Sequence, residues 1–188
     1  MIGKPVTAGT KKIIYVIGFM ASGKTTIGTI LAGKLGFRFL DTDQVIETAE
    51  NSPISRIFEE KGEGYFRQVE KKVLQNITRE HRQEGAVVST GGGMPCDPQN
   101  LEYMKKRGVL VYLKSTPEDI INRTKAPGSR PVFNSLRAEK NPEKAVKELL
   151  HQREKYYTQA DIIVVNSRGA APEKVADEVI RKLKQQSR

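Results

Sequence analysis

Short runs of apolar, mostly β-branched residues recur along the chain at Ile13–Ile17, Phe37–Leu40, Ala86–Ser89, Val109–Leu113 and Ile162–Val165. Near-continuous apolar runs predict strands covered on both faces, which is the mark of a parallel sheet. The segments between them have helical spacing instead. After Gly23, apolar residues fall at Ile27, Ile30, Leu31 and Leu35, one stripe along a helix. Val69, Val73 and Ile77 recur every fourth residue, and Val146, Leu149 and Leu150, then Val175, Val179 and Leu183, repeat the pattern. Alternating strand and helix predicts a doubly wound α/β sandwich, with parallel strands joined by helical crossovers.

Two stretches break this alternation. Residues 44–84 are long and charged, with Pro53 and a Gly62-Glu63-Gly64 break, and read as an inserted helical subdomain. Residues 123–142 are polar, basic and proline-containing; a connection of that length in a compact domain reads as a functional lid. The tail from Lys182 to Arg188 reads as a frayed helix end. A length of 188 residues is that of one domain, 1–188, with its core at about 12–182.

Composition narrows the class further. No apolar run approaches the roughly 18 residues that span a bilayer, and Gly18 interrupts the longest, Ile13 to Ala21. The N-terminal residues lack the apolar stretch of a secretory signal, so the expected compartment is the cytoplasm and no membrane partner is expected. Cys96 is the single cysteine, which excludes an internal disulfide. His81 and His151 have no ligand-like spacing and read as surface or capping residues. Lys and Arg number 32 against 22 acidic residues, a formal charge of +10 that points to an anionic partner without choosing among nucleic acid, a phosphorylated cofactor and a small acid.

Gly18-Phe-Met-Ala-Ser-Gly23-Lys24-Thr25 matches G-x-x-x-x-G-K-[ST], placed directly between the first strand and the first helix. Small residues let backbone N–H groups wrap a polyphosphate, and the helix N-terminus adds partial positive charge. Lys24 suits the β- and γ-phosphates and Thr25 suits Mg²⁺, so this segment predicts a purine nucleoside triphosphate and magnesium. Asp41 and Asp43 close the second predicted strand; if both are extended, a period of two sends both carboxylates to one side. That end of the sheet is where open α/β folds bind ligands. Gly64-Tyr-Phe-Arg67-Gln-Val-Glu70 follows, and the third strand runs into Thr90-Gly91-Gly92-Gly93, a run that makes sense where a backbone approaches a ligand closely. Arg123 and Arg130 punctuate the basic loop, and Arg153 lies on the helix from Glu143 to Tyr157.

Taken in order, GFMASGKTT, FLDTD, GYFRQVE, STGGG, RPVF and HQREKYY resemble the shikimate kinase family, small P-loop NTPases of the nucleoside monophosphate kinase-like fold, over about residues 12–182. The resemblance implies a three-layer α/β/α sandwich whose five parallel strands stand in the order 2-3-1-4-5. It implies transfer of the γ-phosphoryl of ATP to the 3-hydroxyl of shikimate, on the route to chorismate and the aromatic amino acids. It makes Ala21, Ser22, Gly23, Lys24, Thr25 and Thr26 the nucleotide loop, with Thr25 and Asp41 at the magnesium. Asp43, Arg67, Gly91, Gly92, Gly93 and Arg153 match the shikimate contacts, and Asp43, Lys24 and Arg130 the catalytic set. Arg123, Arg168 and the loop from Asn166 to Ala171 fall where the family holds adenine, and Arg130 where it reaches over the phosphates. The partners implied are ATP and shikimate, with no nucleic acid, and a monomer is expected.

Two departures stand out. Ala21 occupies a place where the family commonly has glycine, and Ser89 and Thr90 end the third strand where many P-loop enzymes carry an acid. The residues also leave other readings open: a kinase for gluconate or a nucleoside monophosphate, a nucleic-acid-binding ATPase suggested by the charge, and a silent P-loop module.

Overall fold

The computed structural model describes residues 13–123 and 141–186. Strands β1 (Ile13–Ile17), β2 (Arg38–Asp41), β3 (Ala86–Ser89), β4 (Val109–Lys114) and β5 (Ile162–Val165) form one parallel sheet in the order β2-β3-β1-β4-β5. Helices α1 (Lys24–Leu35), α2 (Thr42–Glu50), α3 (Ile54–His81), α4 (Pro98–Arg107), α5 (Pro117–Arg123), α6 (Pro142–Tyr157) and α7 (Pro172–Gln186) complete the described chain, with a short 3₁₀ turn at Met94–Cys96. The sequence places all five strands to within a residue.

β1 is buried throughout, and its side chains divide between two cores. Ile13, Tyr15 and Ile17 join the core that includes residues of α2, α3, α4 and α6, whereas Ile14 and Val16 face the core that includes residues of α1 and α7. This is the three-layer sandwich that the apolar runs require. β5, at the sheet edge, departs from them: its burial alternates, leaving Ile163 and Val165 36% and 58% exposed. An edge strand has one neighbour, and only one face here meets the α7 core. The C-terminal helix departs as well, because it stays helical through Gln186. Lys182 donates to the Ile163 carbonyl at 2.7 Å and Gln186 to the Asp161 carbonyl at 2.8 Å, which pins the expected frayed end to that strand.

The strand order reverses direction between β1 and β3: α1 carries the chain from β1 to β2, and α4 carries it from β3 to β4 on the opposite face. Such a switch point opens a crevice at the carboxyl ends of the two strands. Here the glycine-rich loop leaves β1, and the triglycine run leaves β3 beside it, with Thr90 N donating to the Val16 carbonyl at 3.1 Å.

Candidate active site

The loop from Gly18 to Gly23 ends in a helix start with no side-chain cap. Gly23 is the N-cap of α1 at φ 88°, and no side chain accepts from the first N–H groups of the helix. Those donors are left for an anion. Alanine would not fit at Gly23: besides the positive φ, its Cβ would lie 2.6 Å from Asn166 Nδ2. Asn166 donates from that nitrogen to the Ser22 carbonyl at 2.8 Å, tying the end of β5 to the loop. Lys24 is buried and its ammonium donates to the Gly18 and Phe19 carbonyls at 3.0 and 2.7 Å, which sets a full positive charge in the loop. Ser22 Oγ is buried with no hydrogen-bond partner. Uncapped helix donors, a held ammonium and an orphaned hydroxyl together suit a polyphosphate. Ala21, the departure from the family's glycine, adopts φ 58°, the left-handed region, at a cost of about 1 kcal/mol. Its carbonyl accepts from Arg123 Nη1 at 3.4 Å.

Thr25 donates its hydroxyl to Asp41 Oδ2 at 2.9 Å, and the other carboxylate oxygen of Asp41 accepts from Asp43 N at 3.1 Å. Asp41 is therefore the N-cap of α2. The extended-strand argument for Asp41 and Asp43 fails here: Asp43 already lies in the first turn of the helix, so both acids line one cleft because Asp41 turns the chain, not because a strand alternates. Among the described residues no group of three or more His, Cys, Asp or Glu could hold a metal. Magnesium takes one or two carboxylates and keeps water and phosphate as its other ligands, and the Thr25 and Asp41 oxygens fit that donor set.

Beside this pair opens a cleft of about 280 Å³ whose walls include Asp43, Arg67, Glu70, the three glycines and Arg153, with Phe58 and Phe66 among its apolar residues. Helix α3 breaks at Gly62, with φ 76° and ψ 170°, and its second half carries Glu63, Arg67 and Glu70 on one face. Arg67 Nη1 donates to Glu70 Oε2 at 2.8 Å, while Nε and Nη2 donate to Glu63 Oε1 at 3.2 and 3.0 Å. Glu70 is only 1% exposed. Burial raises its carboxyl pKa; Arg67 opposes the rise, and Asp43 and Asp97 add to it. For Arg67, burial pulls the pKa down, but Glu70 and Glu63 outweigh it and the net shift is upward. Arg153 leans over the Phe19 ring at 5.7 Å, with its Nη1 3.5 Å from where a Cβ of Gly92 would lie.

The structure thus brings Thr25, Asp41, Asp43, Arg67, Gly91, Gly92, Gly93 and Arg153 to one cleft beside Lys24. Thr26 is exposed on the first turn of α1. Arg123 donates to Ser115 Oγ at 3.2 Å and to the Asn166 carbonyl at 2.8 Å, which braces the loop from the β5 side. Arg168 is exposed and its backbone N–H donates to Asp119 Oδ1 at 3.0 Å. Arg130, with most of the 123–142 stretch, lies outside the described residues. Sequence reasoning missed the roles of Glu63 and Glu70 as partners of Arg67, although their spacing of four and three residues from it was a usable signal. It also missed the Asn166 side chain, for which no local pattern exists, since its partner Ser22 is 144 residues away.

Comparison with known proteins agrees with this geometry. The family model described as shikimate kinase matches residues 20–184. A shikimate kinase of Persephonella marina is 40% identical over 171 residues, covering 91% of this chain and 98% of its own length. The crystal structure of shikimate kinase from Aquifex aeolicus superposes with a TM-score of 0.79 at 36% identity, covering 93% of this chain and 98% of that one. Shikimate kinase from Acinetobacter baumannii in complex with shikimate superposes with a TM-score of 0.83 at 34% identity, covering 94% and 95%. With the P-loop, the aspartate pair and the arginine-lined cleft standing in one crevice of a 2-3-1-4-5 sheet, this chain belongs to the shikimate kinase family.

Proposed function

We propose that this chain transfers the γ-phosphoryl of ATP to the 3-hydroxyl of shikimate, giving shikimate 3-phosphate and ADP, with the residues of the cleft in specific roles. The observation that carries the assignment of roles is that one cleft is lined by Thr25 and Asp41, by Asp43, and by two arginines, Arg67 and Arg153. Arg67 and Arg153 grip the substrate carboxylate, since guanidinium groups form charge-assisted, bidentate bonds with it. Asp43 holds the attacking hydroxyl and takes its proton as the oxygen bonds to the γ-phosphorus and the bond to the ADP oxygen breaks. Lys24 and Arg130 neutralise charge on the moving phosphoryl. Magnesium, held by Thr25 and the Asp41 shell, supplies further charge neutralisation when bound. Residues 123–142 act as the lid that keeps water from replacing shikimate as acceptor.

We further propose a cytoplasmic monomer. No helix among the described residues is long and apolar enough to cross a membrane. ADP release measured with shikimate, gluconate or a nucleoside monophosphate as acceptor tests the substrate, and equal stimulation by the other acceptors overturns it. Asp43→Asn tests the base: kcat is expected to fall by roughly 10² to 10⁴ with ATP still bound, and wild-type turnover in that variant refutes the role.

A further inference from the structure

One buried ionisable group beside the cleft has no part in the chemistry above. Tyr157 ends α6 fully buried, its ring 5.2 Å from that of Tyr112. Its hydroxyl donates to the Gly92 carbonyl at 2.6 Å, and the same carbonyl accepts a longer contact from Cys96 Sγ at 3.8 Å. Burial pushes the phenol pKa up, with the positive charge of Arg153 pulling the other way; the group stays a donor across the working range.

The position of that carbonyl matters because of what stands on either side of it. A Cβ at Gly92 would lie 3.5 Å from Arg153 Nη1, and one at Gly93 would lie 2.9 Å from Arg67 Nη1. The planar Gly92–Gly93 peptide therefore has one guanidinium group close to each of the two residues it joins. Its orientation sets the surface that both of them meet. Arg153 also lies one helical turn before Tyr157, so the helix end that presents the phenol also presents one of the two arginines.

We infer that Tyr157 is a positioning residue, whose hydroxyl fixes the Gly92–Gly93 peptide and with it the placement of Arg67 and Arg153 toward the substrate carboxylate. The inference rests on the reading of those arginines as the carboxylate grip. Tyr157→Phe removes one oxygen and keeps the ring against Tyr112. The shikimate KM is expected to rise about tenfold, the scale of one buried hydrogen bond lost, since the Gly92 carbonyl keeps only the long Cys96 contact, while kcat and the ATP KM stay within about twofold. The preference for shikimate over its carboxamide is expected to narrow as well, because the carboxylate no longer meets a matched pair.

Steady-state kinetics on the folded variant, with each substrate varied in turn, provide the test. KM does not depend on the active fraction, so partial misfolding does not mask the result. An unchanged shikimate KM overturns the proposal, and so does a parallel loss in kcat and in both KM values, which marks general loosening. Arg67→Lys, assayed alongside, separates the two layers. If it leaves the shikimate KM unchanged, the grip itself is wrong; if it raises the KM and Tyr157→Phe does not, only the role of Tyr157 is wrong.

Discussion

The three consecutive glycines are expected to fail differently when each is replaced by alanine, and the structure says how. None of them needs a positive φ, since Gly93 sits at φ −87° and the positive-φ glycines lie elsewhere. Alanine is therefore allowed by the backbone, and what decides is the space for a methyl group. At Gly91 that carbon would lie 2.7 Å from Asp43 Oδ1 and 3.3 Å from Glu70 Oε1. A relaxed carbon–oxygen contact is roughly 3.3 Å or more, so the Asp43 carboxylate has to withdraw by about 0.6 Å. A displacement of about 1 Å at a reacting group costs on the order of 10² in rate, which scales to a loss of roughly ten- to thirtyfold in kcat. Because the displaced atom is the end of a side chain and not backbone, stability is expected to fall by less than about 1 kcal/mol.

At Gly93 the new carbon would meet Arg67 Nη1 and Nη2 at 2.9 and 3.0 Å, so the loss is expected in the shikimate KM. At Gly92 its nearest neighbours, the Gly18 carbonyl oxygen and Met20 N, are 3.4 Å away, ordinary contact, and this variant is expected to be the mildest. The assay is coupled ADP release with each substrate varied, plus thermal melts on all three proteins. A Gly91→Ala enzyme with wild-type kcat refutes the reasoning. So does a ranking in which Gly92→Ala is worst, because the glycines would then serve the backbone and not the side chains around them.

Arg67→Lys is expected to raise the shikimate KM with little change in the ATP KM, because an ammonium cannot form the planar fork that guanidinium offers; kinetics in which only the ATP KM moves exclude the assignment. Arg130→Ala is expected to lower kcat more than ATP affinity, and equal losses in both, read by kinetics and equilibrium binding, argue against a transition-state role. Glu70→Gln tests the buried acid through pH. The Glu70 pKa is raised above its ordinary 4.5, so the folded protein binds that proton more tightly than the unfolded chain does. The resulting stability is present below pH 4.5 and is lost as pH rises through the raised value. The variant lacks that loss and is expected to gain on the wild type as pH climbs from 4.5, in denaturant melts; parallel curves for the two proteins contradict it.

The parts of the fold legible in the sequence are those where local pattern and burial coincide. β1, β3 and β4 are the central strands, covered on both faces, so their apolar runs name them directly. β5 looks the same in sequence yet exposes every second residue, because position at the sheet edge is a property of topology and not of the run itself. The site shows the same division. The glycine-rich loop is legible because every donor it needs lies within eight residues, Gly18 to Thr25. Asp41 and Asp43 line one cleft, but cap geometry, not the strand alternation read from the sequence, directs them there. The bracing of the loop by Asn166 and Arg123 depends on pairs more than a hundred residues apart, 144 and 102, and no period in the chain carries that.

The missing acid at the end of β3 finds its explanation in the register. Ser89 and Thr90 are each only 1% exposed, with Thr90 held to the β1 backbone. In the sheet, Ser89 pairs with Asp41 of β2. A carboxylate therefore stands one strand over from Ser89, about 4.8 Å away, at the same level of the sheet. There it caps α2 through one oxygen and accepts the Thr25 hydroxyl through the other, at 2.9 Å. One residue thus sets the start of the helix that presents Asp43 and the oxygen pair that suits magnesium. Acceptor side and donor side are linked through a single side chain, and moving it disturbs both at once.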